Sequence, residues 1–186
     1  MTRLLFRLYD PTSGAVKVGG RDIRDTAVTE LRKHTSMVTQ DVRLFHGTVR
    51  DNLTFFDESI PDERLTEVID KLGMRPWLRS LPEGLDTRLL SEGAGLSAGE
   101  AQLLAFGRVF LKGSGVLILD EASSRLDRST EQMIERAVDR LVEDRTVIII
   151  AHHLVTIQRC DEIMILEHGR IVEYGSREKL ATDETT

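Results

Sequence analysis

Two apolar runs constrain this chain more than anything else in it: Val116-Leu-Ile-Leu and, after Thr146, Val-Ile-Ile-Ile. Each is apolar at consecutive rather than alternate positions and is about the length of a strand, so each calls for cover on both faces. Between them Ile134, Ala137, Val138, Leu141 and Val142 fall on one helical stripe. Strand, helix, strand with doubly covered strands predicts a parallel sheet flanked by helices, an α/β fold. Ligands of such sheets sit beyond the carboxyl ends of the strands. The first run ends in Asp120-Glu121 and the second in Ala151-His152, so two acids and a histidine are delivered to that edge.

The remaining pattern is arranged around this core. Residues 3–9 repeat in helical fashion, with Leu4, Leu5 and Leu8 on one side, until Pro11 stops the run. No capping residue precedes it, which predicts that position 1 is not a natural domain edge. Residues 15–18 and 21–23 flank Gly19-Gly20 as a small hairpin, and residues 36–40 form a brief strand ending in Gln40 after a short helical stretch at 31–34. Leu65, Val68, Ile69 and Leu72 mark an amphipathic helix over 61–74, opened by Pro61-Asp62-Glu63 and ended by Gly73. The rest of 45–95 is rich in loop residues and is expected to be a mostly helical insertion outside the sheet. A helix over 98–111, a hairpin about His168-Gly169, and a frayed polar end at 181–186 complete the prediction.

Composition narrows the function classes. The chain has 186 residues, enough for one domain with its own core. Its 31 acidic against 25 basic side chains give a net charge of −6, which argues against a nucleic-acid partner. Cys160 is the single cysteine, so no intramolecular disulfide forms within the chain; a reducing compartment fits, and the side chain reads as a small buried filler. No apolar run approaches the ~20 residues that span a bilayer, and the first residues lack the pattern of a signal peptide. The chain is expected in the cytoplasm; service at a membrane would be through another polypeptide or a segment outside this sequence.

A strand ending in Asp120-Glu121 suits nucleotide hydrolysis, the aspartate holding Mg²⁺ through oxygen and the glutamate polarising a water. It equally describes a strand that ends where solvent begins. Gly95-Leu96-Ser97-Ala98-Gly99-Glu100 at a helix start is either a phosphate cradle or an ordinary N-cap, and His152 is either a ligand contact or a satisfied histidine in a crowded turn.

The order of the pieces decides between these. Leu96-Ser-Ala-Gly-Glu100 resembles the signature motif of the nucleotide-binding domain of ATP-binding cassette (ABC) transporters, usually Leu-Ser-Gly-Gly-Gln. Val116-Leu-Ile-Leu-Asp-Glu121 resembles that family's Walker B strand, Ser124-Arg-Leu-Asp127 its D-loop, Ala151-His152 its switch histidine, and Gln40 within Val38-Thr-Gln-Asp41 its Q-loop. Phe45-His-Gly-Thr-Val-Arg-Asp-Asn-Leu53 is similar to the segment after the Q-loop in exporters, and Glu92 within Ser91-Glu-Gly93 to the exporter segment that touches the membrane domain. The resemblance covers essentially the whole chain.

It implies an α/β P-loop NTPase (RecA-like) core with a helical subdomain. Residues 1–44 and 112–186 would belong to the core and 45–111 to the subdomain. Glu121 would act as general base or water-positioning residue, Asp120 would hold Mg²⁺, Gln40 would sense metal and water, and His152 would meet the γ-phosphate of ATP. Ser97 and Gly99 would close over ATP held by a second nucleotide-binding domain in a head-to-tail homo- or heterodimer, with Asp127 joining the two sites. A transmembrane domain, fused or separate, would be the other partner, and the domain would work at the cytoplasmic face of a membrane to power export. Ala98 and Glu100 depart from the usual signature, Ser91 stands where exporters often have glycine, and His153 where arginine is common. Cassette ATPases of DNA repair are the alternative class. The acidic balance, the short spacing from Gln40 to Ser97 and the exporter-like segment speak against it. A purely structural module gives no reason to keep Asp120, Glu121 and His152 at neighbouring strand ends.

The phosphate loop of the family, Gly-x-x-x-x-Gly-Lys-Ser/Thr, is expected directly before a helix like residues 2–9, and no Gly-Lys-Ser/Thr occurs in these 186 residues. The aromatic residue that stacks on adenine is expected on still earlier strands. Without the loop most of the grip on a triphosphate is gone, and a sheet short of strands exposes an apolar edge. The 186 residues by themselves are therefore expected to turn over no ATP. Two explanations stay open: a start placed too late, with the loop and a membrane domain upstream, or a genuine short chain, either a decayed remnant or a non-hydrolysing partner lending Ser97 and Gly99.

Overall fold

The computed structural model describes residues 2–89, 96–120, 128–151 and 157–182. They divide into two compact units, Met1–Ile148 and Ile149–Thr186.

The first unit is built on the predicted parallel pairing. Strand β3 (Thr35–Val38) pairs with β6 (Val116–Asp120) in the register Thr35↔Val116 to Val38↔Leu119. The sheet order is β3-β6-β7, with β7 at Thr146–Ile150. Leu117, Ile118 and Leu119 are buried, as a doubly covered strand requires. The apolar residues of β7 are only half-buried, short of the expected cover on both faces, because β7 is an edge strand of the described sheet.

Two long helices pack against each other, the first of them also against β3. Helix α6 (Ala98–Lys112) ends at Gly113, whose positive φ of 65° closes the last turn in the left-handed region that glycine enters without strain. Helix α7 (Arg128–Val142) turns Ile134, Ala137 and Leu141 inward, the stripe foreseen from the sequence. Before β3 come a short helix α1 (Thr2–Leu5), the hairpin β1 (Lys17–Val18) and β2 (Arg21–Asp22), and helix α2 (Val28–His34). The helix expected over 3–9 is shorter than its pattern. Arg7 takes a φ of 48° and Leu8 N donates to Arg3 O, so the chain turns out of the helix before Pro11 is reached.

The stretch 45–89 is largely helical: α3 (Val49–Thr54), α4 (Asp62–Lys71) and α5 (Arg75–Ser80). It also carries a two-stranded piece the sequence did not suggest, β4 (Gly47–Thr48) with β5 (Arg88–Leu89), which closes the segment on itself outside the main sheet. Thr48 caps α3 in a reciprocal box with Asp51. Helices α3, α4 and α6 meet at Gly107, where a Cβ would lie 2.6 Å from Leu53 Cδ2 and 3.3 Å from Leu72 Cδ1. Only a residue without a side chain lets the three helices approach so closely.

In the second unit β8 (Glu162–Glu167) and β9 (Arg170–Ser176) form the expected hairpin about His168-Gly169, both at positive φ. Helix α8 (Arg177–Thr182) follows, so Ala181 and Thr182, expected within the frayed end, are helical. Cys160 is half-buried rather than fully buried; burial and the neighbouring Asp161 push its thiol pKa up, which suits a packing role.

Candidate functional site

Gln40 and Asp120 reach the same edge through the β3–β6 register. Val38 lies opposite Leu119, so Asp120 is the last residue of β6 where the chain after β3 passes through Thr39 to Gln40. Asp120 is half-buried at the end of β6 and Gln40 exposed two residues beyond β3. The loop after Gln40 is braced by Thr39 Oγ1 donating to Asp41 O at 3.0 Å. Ala151 comes directly after β7. His152, Glu121 and Asp127, and Glu92 with the rest of its loop, lie outside the described residues.

Ser97 and Gly99 form a second feature. Ser97 is the N-cap of α6: its Oγ accepts from Glu100 N at 3.2 Å, and Glu100 Oε2 accepts from Ser97 N at 2.7 Å. The glutamate that departs from the usual signature is thus half of a capping box. Ser97 is exposed and Gly99 buried. Further along α6, Arg108 Nη1 donates to Arg43 O in the loop after β3. Eleven residues separate Ser97 from Arg108, about 16 Å along the helix axis at 1.5 Å per residue. The cap therefore sits well along the helix from the part of α6 that adjoins the Gln40 loop.

A third feature escaped the sequence reading. Phe45, Phe55 and Phe56 are exposed by 43%, 57% and 55% respectively, yet they cluster. Phe45 meets Phe55 and Phe56 edge-on at 5.8 and 6.0 Å between ring centroids. The Arg108 guanidinium lies 4.8 Å from the Phe55 centroid and 5.7 Å from that of Phe45. Asn52 holds the arrangement from beneath: its Oδ1 accepts from Phe45 N at 2.7 Å, and its Nδ2 donates to Phe45 O at 3.0 Å. Beside the cluster opens a cleft of about 300 Å³ whose lining includes Phe6, Met37, Val42, Arg43, Arg108 and Lys112. The available signal was two adjacent aromatic residues, Phe55-Phe56, in an otherwise polar stretch.

A parallel α/β core with a carboxylate at one sheet edge, joined to a largely helical segment and a serine-capped helix, fits a P-loop NTPase-type domain, the fold shared with a solved relative. The family model described as "ABC transporter" matches residues 1–124. Over 177 residues the chain is 40% identical to the probable multidrug resistance ABC transporter ATP-binding/permease protein YheH of Bacillus subtilis, covering 95% of this chain and 26% of that protein. It is 41% identical over 180 residues to the mycobactin import ATP-binding/permease protein IrtA of Mycobacterium tuberculosis, covering 97% of this chain and 21% of that one. A solved structure of a bacterial Atm1-family ABC exporter with ATP bound superposes with a TM-score of 0.86 at 36% identity, over 96% of this chain and 31% of that chain. The chain belongs to the ABC transporter family and corresponds to an exporter-type nucleotide-binding domain. It spans between a fifth and a third of the length of these relatives.

Proposed function

We propose that this chain is the ATP-driven motor domain of a transporter, acting at the cytoplasmic face of a membrane as one half of a head-to-tail pair of nucleotide-binding domains. The observation that carries the reading is the pairing of Val38 with Leu119, which presents Gln40 and Asp120 together at one sheet edge. Segments 1–44 and 112–186 serve as core and 45–111 as the helical subdomain. A carboxylate and an amide oxygen are the hard donors that Mg²⁺ accepts while keeping several waters. Asp120 and Gln40 would hold it, and the ion would supply charge neutralisation on the phosphates.

Glu121, the next residue after Asp120, positions the attacking water and takes its proton. His152, directly after Ala151, holds the terminal phosphate, and Asp127 joins the two composite sites. Ser97 and Gly99 serve the ATP of the partner. The N-terminus of α6 offers backbone N–H groups and the positive end of its dipole to a triphosphate. Because Ser97 Oγ accepts from Glu100 N, its hydroxyl hydrogen remains to donate to a phosphate oxygen.

The 186 residues hold no Gly-Lys-Ser/Thr, so the grip on the β- and γ-phosphates comes from outside them, in a longer form of the chain or in another subunit. The exposed aromatic cluster at Phe45, Phe55 and Phe56 is the face that meets the transmembrane partner. Relatives named for multidrug resistance and for mycobactin import match alike, so cargo and direction are set outside this domain.

The test is ATP turnover and ATP-dependent association, measured for the pure chain and for its mixture with an intact exporter nucleotide-binding domain. The pure chain shows no turnover above background, and the mixture associates when ATP is added unless Ser97 is replaced by alanine. Turnover by the pure chain that Glu121→Gln abolishes would overturn the need for an outside loop. Absence of ATP-dependent association would overturn the motor reading.

A further inference from the structure

Glu100 places a carboxylate at the end of α6 that serves a partner's triphosphate in the motor reading. It is half-buried and is the acidic residue of that helix's first turn. Its Oε2 accepts from Ser97 N at 2.7 Å, and its own N–H donates to Ser97 Oγ at 3.2 Å. The first N–H groups of a helix have no acceptor inside it. Here the capping box occupies Ser97 N and Glu100 N, so Ala98 N, Gly99 N and the Ser97 hydroxyl hydrogen are what remain for a phosphate.

Charge matters as much as the donors do. A carboxylate in the first turn offsets the positive end of the helix dipole, which stabilises the helix and cancels part of its attraction for an anion from outside. The charge-assisted bond to Ser97 N holds the group in place, so it cannot swing clear without losing that bond. Glu100 makes no ion pair among the described residues, so no cation cancels it. A glutamine would keep an oxygen for Ser97 N and carry no charge. The two side chains are alike as caps and differ as neighbours of a phosphate.

We propose that Glu100 is a specificity-determining residue of this half-site: it makes closure of α6 over a partner's nucleotide depend on a metal ion already bound to the phosphates. The inference rests on the reading that Ser97 and Gly99 serve the ATP of a second nucleotide-binding domain, and goes beyond it by giving that half-site a charge rule. A metal-free triphosphate brings its full negative charge against the Glu100 carboxylate. A magnesium-bound one brings less, because the ion neutralises phosphate oxygens. Repulsion between like charges is a means by which interfaces reject wrong partners. Glu100 thus senses the metal through the charge it removes, not as a ligand to it.

The experiment mixes the labelled chain with an intact exporter nucleotide-binding domain and follows association by fluorescence anisotropy at saturating ATP, with Mg²⁺ or with EDTA in its place. The parent chain is expected to associate on the order of tenfold more weakly in EDTA, the gap narrowing as salt is raised. Glu100→Gln should cut the gap to about twofold, chiefly by tightening association without metal, while its urea midpoint stays at that of the parent. Glu63→Gln, the same loss of charge in the first turn of α4, should leave the gap unchanged. No gap in the parent, or an equal gap in the parent and Glu100→Gln, overturns the proposal. Equal narrowing by Glu63→Gln also overturns it, assigning the effect to net charge. Association by neither the parent nor Glu100→Gln in either buffer overturns the motor reading and this inference with it; association indifferent to Glu100 overturns this inference alone.

Discussion

Val38 sits opposite Leu119 in the parallel ladder of β3 and β6, and this single register brings residues eighty positions apart to one edge. A slip by one residue would turn the side chains of β3 to the other face of the sheet. Leu119, Ile118 and Leu117 are buried on β6, with Val38 and Ser36 buried on β3, so the core holds the register in place. Ser36 and Ser114 reinforce it with a buried hydroxyl pair at 2.7 Å.

The capping box at the start of α6 predicts separable effects of two substitutions. Ser97→Ala removes the acceptor for Glu100 N and should destabilise the chain by about 1 kcal/mol in urea unfolding. Glu100→Gln keeps a side-chain oxygen for Ser97 N and should leave the urea midpoint within error of the parent. Equal losses from both would show that charge, not the reciprocal hydrogen bonds, secures this helix start.

Gly107 is a packing requirement between helices. A valine there would press into Leu53 and Leu72, both buried, and should cost about 1–3 kcal/mol. Chemical denaturation of Gly107→Val reads this directly. The accompanying loss of contact between α6 and α3 should also alter near-UV circular dichroism.

Phe55 and Phe56 both occupy the left-handed region, at φ of 55° and 65°. That conformation costs a non-glycine residue roughly 1–2 kcal/mol. Phe56 is largely exposed, so Phe56→Gly should raise the urea midpoint, with a gain of up to about 1 kcal/mol after the lost contact with Phe45.

The acid limb of stability should carry a contribution from Asp22. Hydrogen bonds from the Arg24 side chain and backbone hold its carboxyl at a pKa of about 2, below its ordinary value. A group whose folded pKa is depressed adds stability that is fully present above its unfolded pKa, near 4, and that is lost as pH falls toward the folded one. The contribution should therefore disappear between about pH 4 and pH 2, and Asp22→Asn should flatten that part of the curve. Because the Arg24 side chain of the pair is exposed, added salt should reduce the difference between the two proteins.

Much of the fold was legible because its signals are local. The apolar run of β6, the stripe Ile134, Ala137, Leu141 of α7, the period of α4 and the Gly19-Gly20 and His168-Gly169 turns each declare themselves within one segment. Helix α1 was misjudged in length because Arg7 leaves the helix through a backbone turn, stabilised by Arg7 Nη1 donating to Ile23 O and Thr26 O, partners far along the chain. The β4–β5 pairing was missed because two strands of two residues carry no period to read. Of the candidate site residues, Asp120 ends β6 and Ser97 caps α6 with Gly99 in its first turn, while Gln40 lies two residues beyond β3 rather than at the end of a strand.

The sequence by itself determined the order of elements, the motif residues at their ends, and the membership of a family that those motifs mark. These rest on periodicity and residue type, which act over a few positions. The tertiary structure alone decided that Gln40 comes near the edge that holds Asp120, that three helices close on Gly107, and that Phe55, Arg43, Arg108 and Lys112 surround one cationic cleft. Each depends on which distant segments pack together, and packing is set by the sum of many weak contacts that no short stretch of sequence contains.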